Sequence, residues 1–397
     1  MNEKQHIPAG YKSSPLGIIP EDWEVKRLGD LGEVLMCKRI MKYQTDFFGD
    51  IPFFKIGTFG GKPDAYISRE VFDEYKTKYS YPKIGDVLIS AAGTIGRSVI
   101  FDGTPSYYQD SNIVWIDNDN KQVLNKYLYY YYSTINWITD TGTIPRLYNS
   151  ALKAIQIPTP PIEQQTRIVS ILELWDTAIA KQTALIEKLT LRKRGLMQQL
   201  LTGKKRLKGF EGKWKEVRLG EIARITMGQS PDSKYYNEIG LGLPLIQGNA
   251  DIQDKKSIQR FWTSSITKTC EGGDIIMSVR APVGEIAIAT QKSCIGRGVC
   301  AIKNTSIEKK YLYQLLLFEE DSWKNIEQGG TFTAINSNEI RNKAVIIPAT
   351  DEQNAIASVL VNADKEIEIQ KQKLAAMQEQ KKGLMQVLLT GKKRVTI

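Results

Sequence analysis

Apolar residues recur in alternating steps of four and three along a stretch that begins at Ile168. A sustained pattern of this kind predicts a long helix whose apolar seam packs against another helix, as in a coiled coil. The pattern begins again at Ile356, 188 residues later, and follows the first position by position. The predicted seam residues are Ile168, Leu172, Trp175, Ile179, Gln182, Ile186 and Leu189, then Ile356, Leu360, Ala363, Ile367, Gln370, Leu374 and Met377.

Polar residues interrupt both seams at matching places. Gln182 corresponds to Gln370, and farther along the seams Lys193 corresponds to Lys381. A polar residue at a seam position usually fixes the register and the partner of a helix at some cost in stability. We therefore predict that the two seams face each other.

The lengths of the segments predict the relative direction of the helices. A helix from Ile162 to Thr202 is about 60 Å long at 1.5 Å per residue. The connector Gly203–Lys213 spans at most roughly 38 Å when fully extended. Because this connector cannot return the chain to the start of the first helix, we predict an antiparallel pair. The alternative is that each helix packs on its own globular part.

Several residues mark the predicted ends of these helices. Pro160 and Pro161 suit a first turn, where their missing N–H groups have no partner within the helix. Thr350 followed by Gln353 fits a capping box at the second helix. Gly203 and Gly391 suit the left-handed residue that often ends a helix.

The repeat extends into the globular parts of the chain. WEVKRLGDL at Trp23 corresponds to WKEVRLGEI at Trp214, and GDVLISAAGTIG at Gly85 corresponds to GDIIMSVRAPVG at Gly273. The sequence therefore predicts two tandem units, each a globular part followed by a spacer helix. The predicted boundaries are 1–158 and 159–203 for the first unit, then 204–348 and 349–397 for the second.

Each globular part combines short β-rich runs with a helical stretch. The runs VLISAAG, RSVIF and NIVWI precede YLYYYY, and IIMSVRA, EIAIAT and GVCAI precede YLYQLLLF. This order predicts an α+β domain around a twisted sheet, and GTIG at Gly93 predicts a tight turn between strands. Tyr129–Tyr132 could stack on bases, but their counterparts Tyr313–Leu316 favour a helix in the core.

The charge balance points to a polyanionic partner. Lys and Arg number 54 against 44 Asp and Glu, which gives a net charge of +10 and a pI near 9.1 and favours nucleic acid. The opening MNEKQHIPAGYKSS has no apolar signal core, and no run is long enough to cross a bilayer, so we expect no membrane partner. Four scattered cysteines without a CxxC pair predict reduced thiols in a soluble, cytoplasmic protein.

Motifs that carry catalysis are scarce. His6 is the only histidine, which argues against histidine-dependent triads and histidine-bearing metal sites. The sequence has no GxxxxGK[ST] and no Asn-Pro or Asp-Pro dipeptide, so it lacks a P-loop and the motif typical of DNA amino-methyltransferases. We therefore expect no catalytic residue and no metal ligand in this chain.

One loose pattern leaves an alternative open. Pro63 and Asp64, followed by Glu74–Lys76, spell a nuclease-like PD…ExK, whose carboxylates would hold Mg²⁺ for phosphodiester cleavage. The equivalent stretch before Gly273 contains none of this pattern. Because only one of the two units contains this pattern, the sequence favours a binding protein over a nuclease.

The motifs, taken in order, closely resemble those of specificity subunits of type I restriction-modification systems. They are WxxxRLG, the GD-led strand with its glycine turn, the exit IP…PxxEQ, and GLMQxLLTGKKR, each present twice. The resemblance implies two target-recognition domains that read the halves of a bipartite double-stranded DNA site, held apart by an antiparallel coiled coil with pseudo-two-fold symmetry. It also implies a non-catalytic chain without a cofactor of its own. Two methyltransferase subunits would supply S-adenosylmethionine chemistry, and restriction-translocase subunits would use ATP and Mg²⁺.

The base-reading residues are expected in segments where the two units differ. These segments are 31–84 against 222–272, and 101–126 and 135–148 against their counterparts. Phosphate contacts position a protein on DNA, whereas base contacts specify the sequence. Side chains able to bond base edges are Arg39, Gln109, Arg146, Gln229, Gln247, Asn249, Arg280 and Arg297. Because the segments differ, we predict half-sites of different sequence.

Partner contacts are expected on the outward faces of the helices. Arg192, Lys193, Lys381 and Lys382 are the candidates, and a solvated charged face is the alternative for each. Two further alternatives for the whole chain remain open. One is a stand-alone bipartite DNA-binding protein without a methyltransferase partner, and the other is a purely structural coiled-coil adaptor.

Overall fold

The computed structural model describes residues 7–137, 146–323 and 334–395. His6 and part of the divergent segment 135–148 lie outside these ranges. The chain divides into a first unit, Met1–Gln182 with Lys373–Ile397, and a second unit, Thr183–Gln372. Each unit therefore contains a globular part together with segments of both long helices.

The first unit is built from small sheets and short helices. Its strands are β1 Tyr11–Ser14, β2 Gly17–Pro20, β3 Glu24–Arg27, β4 Val34–Met36, β5 Ile51–Phe54, β6 Tyr66–Ile67, β7 Val87–Ser90, β8 Ser98–Ile100, β9 Tyr107–Tyr108, β10 Ile113–Ile116 and β11 Gln156–Thr159. Its short helices are α1 Arg69–Lys78, α2 Asn125–Tyr132 and α3 Asn149–Ala154, with 3-10 turns at Leu28–Asp30 and Lys42–Gln44. Strands pair in the orders β4-β10-β7-β8, β6-β5-β9, β1-β2 and β11-β3.

The second unit repeats this plan with larger sheets. Its strands are β12 Lys215–Arg218, β13 Ala223–Met227, β14 Tyr236–Asn237, β15 Leu243–Ile246, β16 Ile252–Gln253, β17 Lys256–Ser257, β18 Phe261–Thr263, β19 Thr269–Cys270, β20 Ile275–Ser278, β21 Ile286–Ile288, β22 Ser293–Ile295, β23 Val299–Asn304 and β24 Ala344–Ile347. Its short helices are α5 Leu219–Ile222, α6 Lys309–Phe318 and α7 Ser337–Asn342, with 3-10 turns at Ser233–Tyr235 and Asn249–Asp251. The two long helices are α4 Ile162–Leu200, before β12, and α8 Thr350–Leu388, after β24. Strands pair as β13-β23-β20-β21-β17-β16, β14-β18-β15-β22-β19 and β12-β24. The α+β class predicted from the β-rich runs is confirmed.

The turn after the central strand is built identically in the two units. The hydroxyl of Ser90 donates to the Thr94 carbonyl (2.5 Å) and accepts from the Arg97 N–H (2.9 Å). In the second unit, the hydroxyl of Ser278 donates to the Pro282 carbonyl (2.8 Å) and accepts from the Glu285 N–H (2.9 Å). The tight turn predicted at GTIG is confirmed, and a buried serine closes both turns.

A glycine in each of these turns packs against a tryptophan. Gly96 has a φ of +83°, and a Cβ there would lie 1.9 Å from the Trp137 indole nitrogen. The matching Gly284 has a φ of +88°, and its Cβ would lie 2.6 Å from the Trp323 Cβ. Both positions therefore need glycine for its left-handed backbone and for the close approach of the ring.

The tyrosine-rich helix belongs to the core. Tyr127, Tyr130 and Tyr132 of α2 are buried, and in α6 the matching face buries Tyr311 and Leu315. The Tyr127 hydroxyl donates to the Pro158 carbonyl (2.9 Å). The prediction of a core helix, rather than a base-stacking surface, is therefore confirmed.

The long helices run in opposite directions within each unit. In the first unit, Leu172 of α4 packs in the same core as Leu388 of α8, and the later Asp176 pairs with the earlier Lys381. In the second unit, Arg192 pairs with Glu366, Lys193 with Asp364 (2.6 Å), and Leu200 shares a core with Ile356. Every predicted seam residue is buried or half-buried.

The two lysines at seam positions are neutralised by matching aspartates. Lys381 bonds Asp176 in the first unit, and Lys193 bonds Asp364 in the second. Asp176 also accepts from the Tyr130 hydroxyl (2.6 Å), and Asp364 accepts from the Gln314 amide (2.6 Å). These networks tie the seam to α2 and α6, so each seam lysine helps to fix helix register.

The helix ends agree with the sequence in one respect and differ in another. Gly203 and Gly391 have φ values of +68° and +73°, which confirms the predicted left-handed ends. The capping box predicted at Thr350 was wrong, because Thr350 is already the first residue of α8 and Ala349 precedes the helix. The Ala349 carbonyl accepts the Gln353 N–H. The Gln353 amide instead bonds the Pro348 carbonyl and the Glu308 N–H (both 2.9 Å), which anchors the start of α6.

In the described part of the chain, no helix has the length and apolar character needed to span a bilayer.

Candidate nucleic-acid interface

A cleft in the first unit brings together residues from distant parts of the sequence. Its walls come from the segment after β4, from β5, and from the loop between β9 and β10, and it encloses about 550 Å³. Two sequence candidates, Arg39 and Gln109, line it. A third, Arg146, lies beside it, with its guanidinium 3.5 Å from the carbonyl of Ser111, a lining residue.

Internal bonds already engage much of this first cleft. Arg39 forms an ion pair with Asp110 (2.9 Å), and Lys55 forms one with Asp64 (2.8 Å). The side-chain oxygen of Gln109 accepts the Ile56 N–H (2.8 Å), so only the amide NH₂ of Gln109 is left to donate to a ligand. The lining contains Arg39, Lys42 and Lys55 against Asp46, Asp64 and Asp110, and its charges therefore balance.

The second unit has an equivalent cleft of about 580 Å³. Four sequence candidates line it, namely Gln247, Asn249, Arg280 and Arg297. Gln229 directly precedes the lining residue Ser230, whose hydroxyl accepts the Arg297 N–H (3.2 Å). The remaining lining residues are Pro231, Ser233, Tyr236, Gly248, Ala281 and Gly298, so this cleft combines guanidinium, amide and hydroxyl groups without a lining carboxylate.

An arginine belongs to an equivalent isolated β-bridge beside each cleft, but it comes from opposite sides of that bridge in the two units. In the first unit, Ala92 and Arg146 form an isolated antiparallel bridge. In the second unit, Arg280 and Ala334 form that bridge, and each lies 188 residues after its counterpart. The guanidinium is thus supplied by the loop before α3 in one unit and by the turn after β20 in the other.

Sequence reasoning missed the apolar residues at the rim of the first cleft. Tyr43, Phe47 and Phe48 are 84%, 79% and 86% exposed, and Phe47 also lines the cleft. At the corresponding loop of the second unit, Ile239 and Leu241 are exposed. Apolar side chains can contact the thymine methyl group or wedge between base steps. The pair FF in an otherwise polar segment was the available sequence signal.

The nuclease-like residues are held in separate ion pairs. Asp64 bonds Lys55, whereas Glu74 bonds Lys78 one turn along α1 (2.8 Å). Across residues 7–137, 146–323 and 334–395, no three His, Cys, Asp or Glu side chains are grouped as a metal site would require. The geometry therefore gives no support to the nuclease alternative.

The partner-binding candidates differ in their surroundings. Arg192, Lys193 and Lys381 each bond an acidic residue of the opposite long helix. Lys382 is exposed and lines a shallow groove with Asp176 and Gln386 in the first unit. For the first three residues, the ion pairs account for the charge within the molecule, and a docking role stays a prediction.

Comparison with known proteins gives consistent matches over nearly the whole chain. Residues 20–191 and 211–379 match the model of the type I restriction modification DNA specificity domain. The chain is 32% identical over 414 residues to the putative type I restriction enzyme MjaX specificity subunit of Methanocaldococcus jannaschii, covering 97% of both. A putative type I restriction enzyme specificity subunit of Haemophilus influenzae is 65% identical over 168 residues, which are 42% of this chain and 44% of that relative.

Solved structures share the fold at lower identity. A chain from a study of assembly and conformational transition of the type I R-M system has a TM-score of 0.62 and 24% identity, covering 94% of this chain and 99% of that one. The type I restriction-modification S subunit from M. genitalium has a TM-score of 0.57 and 16% identity, covering 94% and 97%. At these identities the likeness concerns the fold alone.

Proposed function

Because this chain belongs to the family of type I restriction-modification specificity subunits, the non-catalytic DNA-recognition components of those systems, we propose that it reads a bipartite, asymmetric DNA target and scaffolds the subunits that act on it. Family membership confirms the resemblance inferred from the repeated motifs. Each half of the proposed target is read by the cleft of one unit.

The observation that carries this proposal is the pair of equivalent clefts with different walls. The second cleft presents Arg280, Arg297, Gln247 and Asn249, whose groups bond guanine and adenine in the major groove. The first cleft mixes Asp46, Asp64 and Asp110 with its basic residues, and Asp64 and Asp110 are held in ion pairs. A carboxylate, unlike a guanidinium or an amide NH₂, accepts from the amino group of cytosine. Walls of unlike chemistry on one framework support half-sites of unlike sequence.

The long helices are proposed to set the gap between the half-sites. Each helix contributes to both units, and the opposite directions seen within each unit agree with an antiparallel pair. We further propose that the pair is an antiparallel coiled coil with pseudo-two-fold symmetry. Such a repeat offers one surface twice, so a single chain can recruit two identical subunits.

The partners proposed on this scaffold supply the chemistry. Two methyltransferase subunits would bring S-adenosylmethionine, and restriction-translocase subunits would bring ATP and Mg²⁺, with none of these bound by the chain itself. The exposed Lys382 is the candidate contact that internal ion pairs leave available.

Methylation mapping tests the proposal directly. The chain would be expressed with the methyltransferase subunits of its system, and genomic methylation would be read by sequencing. We expect methylated adenines in a two-part motif with a fixed gap and different halves. A palindromic motif would contradict different half-sites, and binding to DNA without any stable methyltransferase complex would support the stand-alone DNA-binding alternative.

A pair of variants locates the half-site read by the second unit. Arg297→Ala removes an exposed guanidinium from the cleft and is expected to weaken recognition about 10- to 100-fold, relaxing the motif at one position of one half. Lys310→Ala, an equal charge change elsewhere on this unit, is the control and should leave the motif unchanged. Relaxation in both halves, or in neither, would contradict the assignment.

A further inference from the structure

A second basic surface lies on the second unit along the edge strand β13. Arg224 of β13 stands directly opposite Lys303 of β23, and both side chains are exposed. Residues directly opposite in an antiparallel pair lie on one face of the sheet, where like charges destabilise the pairing. A folded protein that keeps two such cations side by side carries an electrostatic cost that an anionic ligand would remove.

Two more cations extend this pair. Arg341 of α7 and Lys268, just before β19, line the same open groove of about 650 Å³ as Arg224. Both are exposed. In the part of the chain that the structure describes, Arg224, Lys268, Lys303 and Arg341 have no carboxylate within ion-pair distance. We refer to these four residues as the basic track.

The first unit has acidic residues at the matching strand positions. Glu33 lies directly before β4, and its carbonyl accepts the Asp117 N–H (2.9 Å), so these two residues face each other as Arg224 and Lys303 do. Each acid is neutralised, Glu33 by Lys153 (2.5 Å) and Asp117 by Lys83 (2.8 Å). The framework itself therefore does not require cations at this place.

The counterpart of Arg341 strengthens the comparison. A Cβ on Gly220 would meet Arg341, and a Cβ on Gly29 would meet Lys153, so Arg341 and Lys153 occupy equivalent positions. In the first unit this cation is used in an internal pair with Glu33. In the second unit the equivalent cation remains available to a ligand.

The basic track leads to the second cleft. The Gln229 N–H, two residues after the end of β13, donates to the Ile295 carbonyl (2.9 Å), and the Ile295 N–H donates to the Lys268 carbonyl (2.8 Å). The next residue, Ser230, lines the cleft with Arg297. The five residues of β13 cover about 16 Å, a length that corresponds to four or five phosphates at about 3.4 Å of axial rise.

We propose that the basic track binds the phosphate backbone of DNA next to the half-site read by the second unit, and that the first unit has no equivalent of it. This inference rests on the function proposed above and adds an asymmetry to it. Phosphate contacts supply affinity that depends on salt and is independent of sequence. The second unit would then hold DNA through its charge, whereas the first would depend more on contacts within its cleft.

Salt-dependent binding tests the proposal. The full chain with its methyltransferase subunits would be titrated by fluorescence anisotropy with two 40-base-pair duplexes, one containing the mapped target and one with that sequence shuffled. In the triple variant Arg224→Gln/Lys268→Gln/Arg341→Gln, we expect the slope of log K against log salt to become shallower by about 2 to 3. Affinity at 0.1 M salt should fall roughly 10- to 100-fold for both duplexes, with their ratio unchanged.

Two controls distinguish phosphate binding by the basic track from a general loss of positive charge and from a failure of the proposed DNA recognition. Lys215→Gln/Lys310→Gln changes exposed lysines elsewhere on the second unit and should leave the slope nearly unchanged. A triple variant with the wild-type slope would overturn the basic track, as would loss of the methyltransferase subunits with DNA affinity retained. If the wild-type complex did not prefer the target duplex over the shuffled one, the proposed function would fail instead.

Discussion

The two units share the geometry of their turns and helix junctions but differ in the charge around their clefts. Ser90 and Ser278 close the same turn with the same bonds, and Gln165 and Gln353 each accept a backbone N–H at the start of a core helix. The first cleft balances its charges, whereas the second has arginines and no lining carboxylate. Duplication thus preserved the parts that determine the fold, and divergence is concentrated where a ligand would bind.

The elements inserted between the shared strands also differ between the two units. Between the edge strand and the central strand, the first unit inserts α1, and the second unit inserts the β16–β17 hairpin. The hairpin extends the far edge of the six-stranded sheet beyond β21, whereas α1 packs its buried Phe72 in a core with Leu88 of β7. Each unit therefore completes the shared strands with a different element. Recognition surfaces can therefore change while the framework stays intact.

The largest expected difference concerns the basic residue that ends each GKKR motif. Arg206 bonds both oxygens of Glu352 (2.5 and 2.7 Å), a residue that is almost fully buried, whereas Arg394 bonds the half-exposed Asp22 (2.8 Å). Glu352→Ala is expected to cost about 2–3 kcal/mol in the free energy of unfolding, because it leaves partly buried donors unpaired. Asp22→Ala should cost about 1–2 kcal/mol, because Asp22 is solvent-exposed but also accepts from the Gln164 amide (2.6 Å). Urea denaturation measures both, and equal losses would contradict the difference in burial.

A smaller loss of stability, equal in the two units, is expected at the turns that Ser90 and Ser278 close. Ser90→Ala and Ser278→Ala each remove one donated and one accepted hydrogen bond from a buried site. Each should lower the free energy of unfolding by about 1–2 kcal/mol. The exposed Ser150→Ala serves as the control and should have almost no effect. Unequal losses in the two turns would show that the framework is less symmetric than its bonds indicate.

The smallest effect concerns the cysteine thiols, which should not react with alkylating reagents in the native protein. Burial raises the pKa of Cys37 in the first unit to about 12, and in the second unit it raises the pKa of Cys270 to about 11 and of Cys300 to about 12. Since the thiolate is the reactive form, these thiols should resist alkylation at pH 8. Mass spectrometry of chains alkylated along a urea series would follow each unit separately.

Because both long helices contribute to both units, Cys37 and Cys300 should become reactive at the same urea concentration. Separate midpoints would show that the units unfold independently. Rapid alkylation without urea would contradict the burial of these thiols.

The features that the sequence predicted depend on local patterns. Heptad spacing gave the two long helices and their seams, and β-rich runs gave the central strands, because periodicity reflects burial of one face. The glycines at 203 and 391 were predictable because few other residues adopt a left-handed backbone. Gln353 was misread as a cap, since its actual partner, the Glu308 N–H, is 45 residues away in the chain.

The sequence alone therefore determined the duplication, the helices, the α+β class and the family, all of which follow from local periodicity and repeated motifs. Only the tertiary structure decided which polar residues are free to bind a ligand. Arg39 and Lys193 looked available in the sequence, yet folding pairs them with Asp110 and Asp364. Gln109 keeps only its NH₂ group for a ligand, because its side-chain oxygen accepts the Ile56 N–H. Strand pairing and packing bring together the distant residues of the basic track, namely Arg224, Lys268, Lys303 and Arg341. No local sequence pattern predicts which of these charged residues become neighbours.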